Sequence, residues 1–183
     1  MGKKDKFVVW LPCKPYVRQY LINNYIVDGE DDVVDLRKNS YLHNDFVSRL
    51  TKDGRWEKKY SNLYRYKTMV AVRISRDEFY RYGFSLANSE VVSFGLILER
   101  NIKNKMFLYV DLAVGMGMQI SVAIRRFQKN HGFDEDSWPY ETIRRIYNRH
   151  SRDARLNQSM SIYDFIDKNI MGKLSHVCDN FPC

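Results

Sequence analysis

Residues 67–75 read Lys67-Thr68-Met69-Val70-Ala71-Val72-Arg73-Ile74-Ser75, and this stretch decides the fold class. From Met69 to Ser75 it alternates, with Val70, Val72 and Ile74 on one side and Met69, Ala71 and Arg73 on the other, which is the period of a half-buried strand. The chain beyond this strand reads as helical. Arg76 to Tyr82 is a short helical stretch stopped by Gly83, and Asn88 or Ser89 caps an apolar helix from Glu90 to about Leu112, punctuated by Gly115 and Gly117. The next helix, about Met118 to Asn130, places Ile120, Ile124 and Phe127 on one face and ends at His131-Gly132. The run Asp134-Glu135-Asp136-Ser137 charges and caps a further helix from Pro139 to at least Arg149. A last helix is expected from about Ile162 to Met171.

Before the strand the pattern is mixed. Phe7 to Leu11 reads as a strand, and Pro15 opens a helix from Tyr16 to Ile26, where the missing proline N–H costs nothing in the first turn. An acidic turn from Gly29 to Asp32 leads into a second strand, Val33 to Leu36. Asn39 or Ser40 then caps a helix through Leu50. Thr51 to Tyr64 is polar, basic and aromatic without a clean period, and reads as a loop. The expectation is an α+β protein with a small N-terminal mixed sheet, built from the segments near Phe7, Val33 and Val70, and a mostly helical C-terminal half. The chain divides near residue 66, into a mixed region 1–66 and a strand-plus-helix region 67–183, with 118–155 a candidate DNA-contacting helical pair; the alternative is that all of it forms one compact domain.

Composition narrows the function. In 183 residues, 30 Lys and Arg face 22 Asp and Glu, a formal net charge of +8. That surplus favours polyanionic partners. A hydrophobic fraction of 44% with 14% aromatic residues is too rich for a disordered chain. The most apolar stretch, Met106 to Met118, is interrupted by Asp111 and falls short of the roughly 20 residues that span a bilayer. No apolar signal segment follows the start Met-Gly-Lys-Lys-Asp-Lys, so the expected location is cytoplasmic, with no membrane partner. Three cysteines, Cys13, Cys178 and Cys183, are too few for a disulfide scaffold. His176-x-Cys178-x4-Cys183 lacks the tight C-x2-C pair of zinc ribbons, so neither metal nor cofactor is expected.

The segment from Pro139 onward is the most informative. At 100° per residue, Ile143, Ile146, Tyr147 and His150 share one side, and Arg145, Arg149 and Arg152 share the other, with Asn148 and Arg155 flanking. An arginine stripe backed by an apolar face supplies the fixed, always-charged forks that phosphate oxygens accept. Arg144 adjoins it, and the preceding helix adds Arg125, Arg126 and Lys129. Eight basic side chains thus lie between Arg125 and Arg155, diluted by five acids. An ordinary solvated helix face is the competing reading of such a run.

Two helices joined by His131 to Trp138 are similar to helix-turn-helix readers, with a connection about twice the usual three or four residues. The resemblance implies Thr142, Arg145, Asn148 and Arg149 nearest the bases. Val70 to Ser75, Arg76 to Tyr82 and Ser89-Glu90 resemble the strand, helix, helix order of ribbon-helix-helix repressors. That resemblance implies a dimer whose paired strands read bases through Met69, Ala71 and Arg73. The ending Ala123-Ile124-x2-Phe127-x3-His131-Gly132, then Trp138-x2-Glu141-x-Ile143-x2-Ile146-Tyr147-x-Arg149, is similar to uncharacterised small basic proteins of phages and mobile elements in Bacteroides-type bacteria. It implies a setting where DNA transactions are common, and transfers no catalytic residue.

Other features weigh less. Tyr60, Tyr64 and Tyr66 interleave with Lys58, Lys59, Arg65 and Lys67, a spacing that suits base stacking, although tyrosines that anchor a polar loop to the core explain it more simply. His43, His131, His150 and His176 stand in no metalloprotease frame, and Gly115-Met116-Gly117 lacks the third glycine of a dinucleotide loop. The clusters Glu30-Asp31-Asp32 and Asp134-Glu135-Asp136 would serve a metal-dependent nuclease, yet each reads first as a turn or a helix start. The expected function is therefore non-enzymatic binding of nucleic acid, duplex DNA above all, by an accessory or regulatory protein of a phage or mobile element. The contacts expected are Arg125, Arg126, Lys129, Arg144, Arg145, Asn148, Arg149, Arg152 and Arg155. The alternative is a protein-protein module, a virion component or host-factor inhibitor, with a basic, aromatic-rich surface.

Overall fold

The computed structural model describes residues 7–30, 32–53 and 63–166, with side chains as far as residue 153. The chain falls into two compact units, Met1–Tyr140 and Glu141–Cys183. In the first, strands β1 (Phe7–Cys13), β2 (Val33–Val34) and β4 (Thr68–Ile74) form one sheet in the order β1-β4-β2. β1 runs antiparallel to β4, pairing Val9 with Val72 and Leu11 with Val70, and β2 runs parallel to it. A second, two-stranded sheet joins β3 (Leu50–Thr51) to β5 (Ser85–Leu86). The helices of this unit are α1 (Pro15–Tyr25), α2 (Ser40–Ser48), α3 (Arg76–Tyr82), α4 (Asn88–Gly115) and α5 (Ile120–His131). Helix α6 (Tyr140–Ile166) follows and carries the described part of the second unit.

The expected α+β class holds, and the three segments named for the sheet do form it. The register puts Val9, Leu11, Val70, Val72 and Ile74 on one buried face, where α1 contributes Val17 and Leu21 and α4 contributes Phe94, Leu98, Ile102 and Met106. Each such side chain contributes about 1.5–3 kcal/mol by leaving water. Ala71 is buried as well, although alternation places it on the opposite side: its neighbour across the ladder is Trp10, on the face that also carries exposed Met69.

Local chemistry sets several boundaries. Asn39 caps α2 by accepting the Leu42 N–H, and Ser75 with Glu78 forms a reciprocal capping box that starts α3. Gly132, in the left-handed region at φ 63°, stops α5, as His131-Gly132 led us to expect.

Other expectations are corrected. Residues 33–36 do not continue as a strand, because the Asp35 carboxylate accepts the Arg37 N–H and turns Leu36–Lys38 into a 3₁₀ turn. Thr51 is the end of a strand rather than the start of a loop, and residues 54–62 lie outside the described residues. Helix α4 starts from Ala87 without a side-chain cap and runs to Gly115, since buried Ala113 carries its apolar face one turn further. The separate helix expected at Ile162 is the end of α6, which meets no Gly or Pro between Tyr140 and Ile166; residues 167–171 lie outside the described residues. Among the described residues β4 is flanked by β1 along its whole length and by β2 at Ala71 and Val72, a setting unlike the two-stranded ribbon that the repressor resemblance implies. Ala71 is buried and Arg73 is ion-paired to Glu30.

Candidate nucleic-acid interface

Helix α5 is built as an amphipathic face. Ala123, Ile124, Phe127 and Gln128 are buried, which leaves Arg125, Arg126 and Lys129 exposed on the other side. Gln128 is held by a 3.0 Å hydrogen bond from its Nε2 to the Trp138 carbonyl, and the Trp138 ring stacks on Tyr16 at 4.7 Å. The acidic connection is consumed by its own turn. Asp134 accepts the Ser137 N–H at 2.6 Å, and the Ser137 hydrogen bonds hold its carboxyl below the ordinary aspartate value. Glu135 accepts the Tyr140 N–H at 2.9 Å, where α6 begins and where a carboxylate also complements the helix dipole.

Along α6, Ile143 and Tyr147 are buried, while Arg144, Arg145, Asn148, Arg149 and Arg152 are exposed. An open cleft of about 730 Å³ runs along this exposed face, lined among the described residues by Glu141, Thr142 and those same five side chains. Four arginines there meet the single carboxylate of Glu141, whose Oε1 lies 3.6 Å from Arg144 Nη1. Exposed pairs of this kind are worth roughly 0.3–0.5 kcal/mol, so Arg144 keeps most of its capacity for another anion. Among the described residues, Arg145, Arg149 and Arg152 make no ion pair. Arg155 belongs to α6, with its side chain outside the described residues. The nine expected contacts therefore fall into two sets, three on α5 in the first unit and the rest on α6 in the second.

The remaining candidates have structural work. Glu30 pairs with Arg73, and Arg18 Nη2 lies 2.5 Å from the Asp32 carboxylate. Burial pushes the Cys13 thiol up to about 11, which leaves it unreactive. His176, Cys178 and Cys183 lie outside the described residues, among which no three metal-ligating side chains converge. Tyr66 bonds the Val92 carbonyl through its hydroxyl and packs where a Cβ on Gly95 would sit, so it anchors its loop to α4. Tyr64 is exposed beneath the Arg65 guanidinium; Lys58, Lys59 and Tyr60 lie outside the described residues.

Sequence reasoning missed three polar or aromatic groupings. Glu99 is buried in the apolar helix α4, with its Oε1 2.7 Å from Lys14 Nζ and Lys103 Nζ 3.6 Å from its other oxygen. The only signal for it was an acid inside an apolar run. His43 is buried with Nε2 2.7 Å from the Glu78 carboxylate. Phe7, Phe79, Tyr80 and Phe84 meet beside Arg76, foreshadowed only by the i, i+4 spacing of Arg76 and Tyr80. Compared with protein-family models, curated proteins and solved structures, the chain matches none.

Proposed function

We propose that the protein is a non-enzymatic nucleic-acid-binding protein whose main contact surface is the exposed face of α6, with duplex DNA as its principal partner. The observation that carries this reading is the cleft itself, where Arg144, Arg145, Arg149 and Arg152 present four guanidiniums along one helix face with Asn148 between them. Guanidiniums fix phosphate oxygens in bidentate geometry and displace condensed counterions, which gives affinity without sequence choice. Asn148 is the side chain suited to an adenine edge. The net charge of +8 and the exposed Arg125, Arg126 and Lys129 of α5 act in the same sense. The setting we propose for such binding is an accessory or regulatory role in a phage or mobile element.

Titrating a labelled duplex at several salt concentrations tests the reading. The binding constant should fall linearly on logarithmic axes as salt rises. Failure to bind any duplex at low salt would remove the proposal. The absorbance ratio at 260 and 280 nm, before and after a high-salt wash of the purified protein, gives the same answer for carried-over nucleic acid.

One observation favours a protein partner instead. Leu108 and Leu112 of α4 and Met116, which follows its last residue, are exposed at i, i+4 spacing, Met116 to 80%, and an apolar run of this kind marks protein contact. Co-purification of a protein that survives nuclease treatment would favour this second reading.

A further inference from the structure

We propose that the aromatic cluster on α3 is a second binding site, for the unpaired bases of a single nucleic-acid strand. Phe79 stands at its centre, with ring centroids 4.8 Å from Phe7, 5.5 Å from Tyr80 and 5.4 Å from Phe84. The Phe84 ring is nearly parallel to it, at 25°, and Phe7 reaches Tyr80 at 6.0 Å. Clusters of mutually touching rings ordinarily belong to a core. Here Tyr80 is 59% exposed and Phe84 47%, and neither Phe7 nor Phe79 is buried. Keeping so much ring surface in water lowers stability unless something else covers it.

The chemistry around the rings selects the occupant. The Arg76 guanidinium lies 5.8 Å from the Tyr80 centroid, and Arg81 lies 5.2 Å from that of Tyr82, the next exposed ring of the helix. A cation over an exposed ring holds it in place and sets positive charge beside the face on which a base would stack, where the flanking phosphate needs it. Of the two acids in the first turn of α3, Glu78 is committed to the Ser75 N–H and to His43, which leaves Asp77 as the other acid of that turn. Exposed π faces with cations around them fit a polyanion that itself carries π faces, and every base has one. The cluster lies wholly in the first unit, so it does not rest on the α6 arginines.

The test pairs two probes, a labelled oligo(dT) of about 16 nucleotides and a labelled duplex, read by fluorescence anisotropy. Tyr80→Leu and Phe84→Leu keep apolar bulk and remove the ring. Each should weaken oligo(dT) binding about 5- to 100-fold and leave duplex binding unchanged, with Tyr80→Phe restoring the wild-type affinity. Thermal unfolding checks that each variant is folded, and Tyr80, on the exposed side of its helix, gives the safer substitution. Replacing Arg145, Arg149 and Arg152 should instead weaken the duplex arm, so the two sites fail separately. Oligo(dT) binding that survives both leucine variants, or that the wild type lacks at low salt, overturns the proposal. So does sedimentation in which the wild type is a dimer and Tyr80→Leu a monomer, since the rings would then be a self-interface.

Discussion

The guanidinium carbon of Arg125 lies 4.4 Å from the centroid of the Tyr140 ring, so one of the basic side chains of α5 is held in place by the residue at which α6 starts. Tyr140 is half-buried, so this cation–ring contact is worth about 0.5–2 kcal/mol, and Tyr140→Phe should retain most of it. Tyr140→Ala should lose it together with the buried part of the ring, lowering stability by about 1–3 kcal/mol in urea unfolding.

Removing one partner of a buried ion pair costs more than the pair contributes, because the remaining charge is stranded. Lys14→Met leaves the Glu99 carboxylate with Lys103 at 3.6 Å as its only described cation, and should destabilise the protein by about 2–4 kcal/mol. Glu99→Gln in the Lys14→Met background should recover part of that loss. The urea midpoints of the three proteins check it.

Acid should unfold the protein partly through Glu78. Burial alone would raise its carboxyl, but the hydrogen bonds from Ser75 and His43 outweigh it and hold the group below 4.5. Asp35, hydrogen-bonded by Arg37 against the opposing effect of burial, is likewise held below 3.8. Carboxyls lowered in the folded state contribute stability that is present above their unfolded values and lost as pH falls through the folded ones. Melting temperature should therefore be level above about pH 5 and drop below about pH 4 as far as these groups are concerned. Glu78→Gln should lower the plateau and flatten the acid limb. A variant with the wild-type acid limb contradicts the assignment.

Gly83 closes α3 at φ 122°, and a Cβ built there would meet the Thr51 carbonyl carbon at 2.1 Å. Gly83→Ala should cost at least about 1–3 kcal/mol and loosen the β3-β5 pair that lies beside it. Gly29, at φ 75° with nothing near its Cβ position, should tolerate alanine better. Thermal unfolding of the two variants compares them.

How far the sequence reached depends on the kind of interaction that set each feature. Helix α3 was legible to the residue because Ser75 and Gly83 act locally, through a capping box and a backbone stop. The two faces of α6 were legible because helical periodicity separates Ile143 and Tyr147 from the arginines. Its continuity to Ile166 was not, since the polar stretch after Arg149 carries no hydrophobic period, and only the lack of a breaker keeps the helix going. Ala71 is buried at a position flanked by Trp10 of β1 and Val33 of β2, both remote in sequence, and the Lys14 and Glu99 pair is equally non-local. For the site, the exposure of Arg144, Arg145, Asn148, Arg149 and Arg152 on one face was readable, whereas the ring cluster around Phe79 is drawn from β1, α3 and the turn after it.

The most direct test of the central claim is the salt dependence of duplex affinity in the triple variant Arg145→Ala, Arg149→Ala, Arg152→Ala. If these three side chains each neutralise a phosphate, the slope of log K against log salt should fall in magnitude by about 2.7, and affinity at low salt should drop with it. The melting temperature should stay within a few degrees of the wild type, since exposed arginines carry little of the fold. A folded variant that binds duplex with the wild-type affinity and slope would contradict the account.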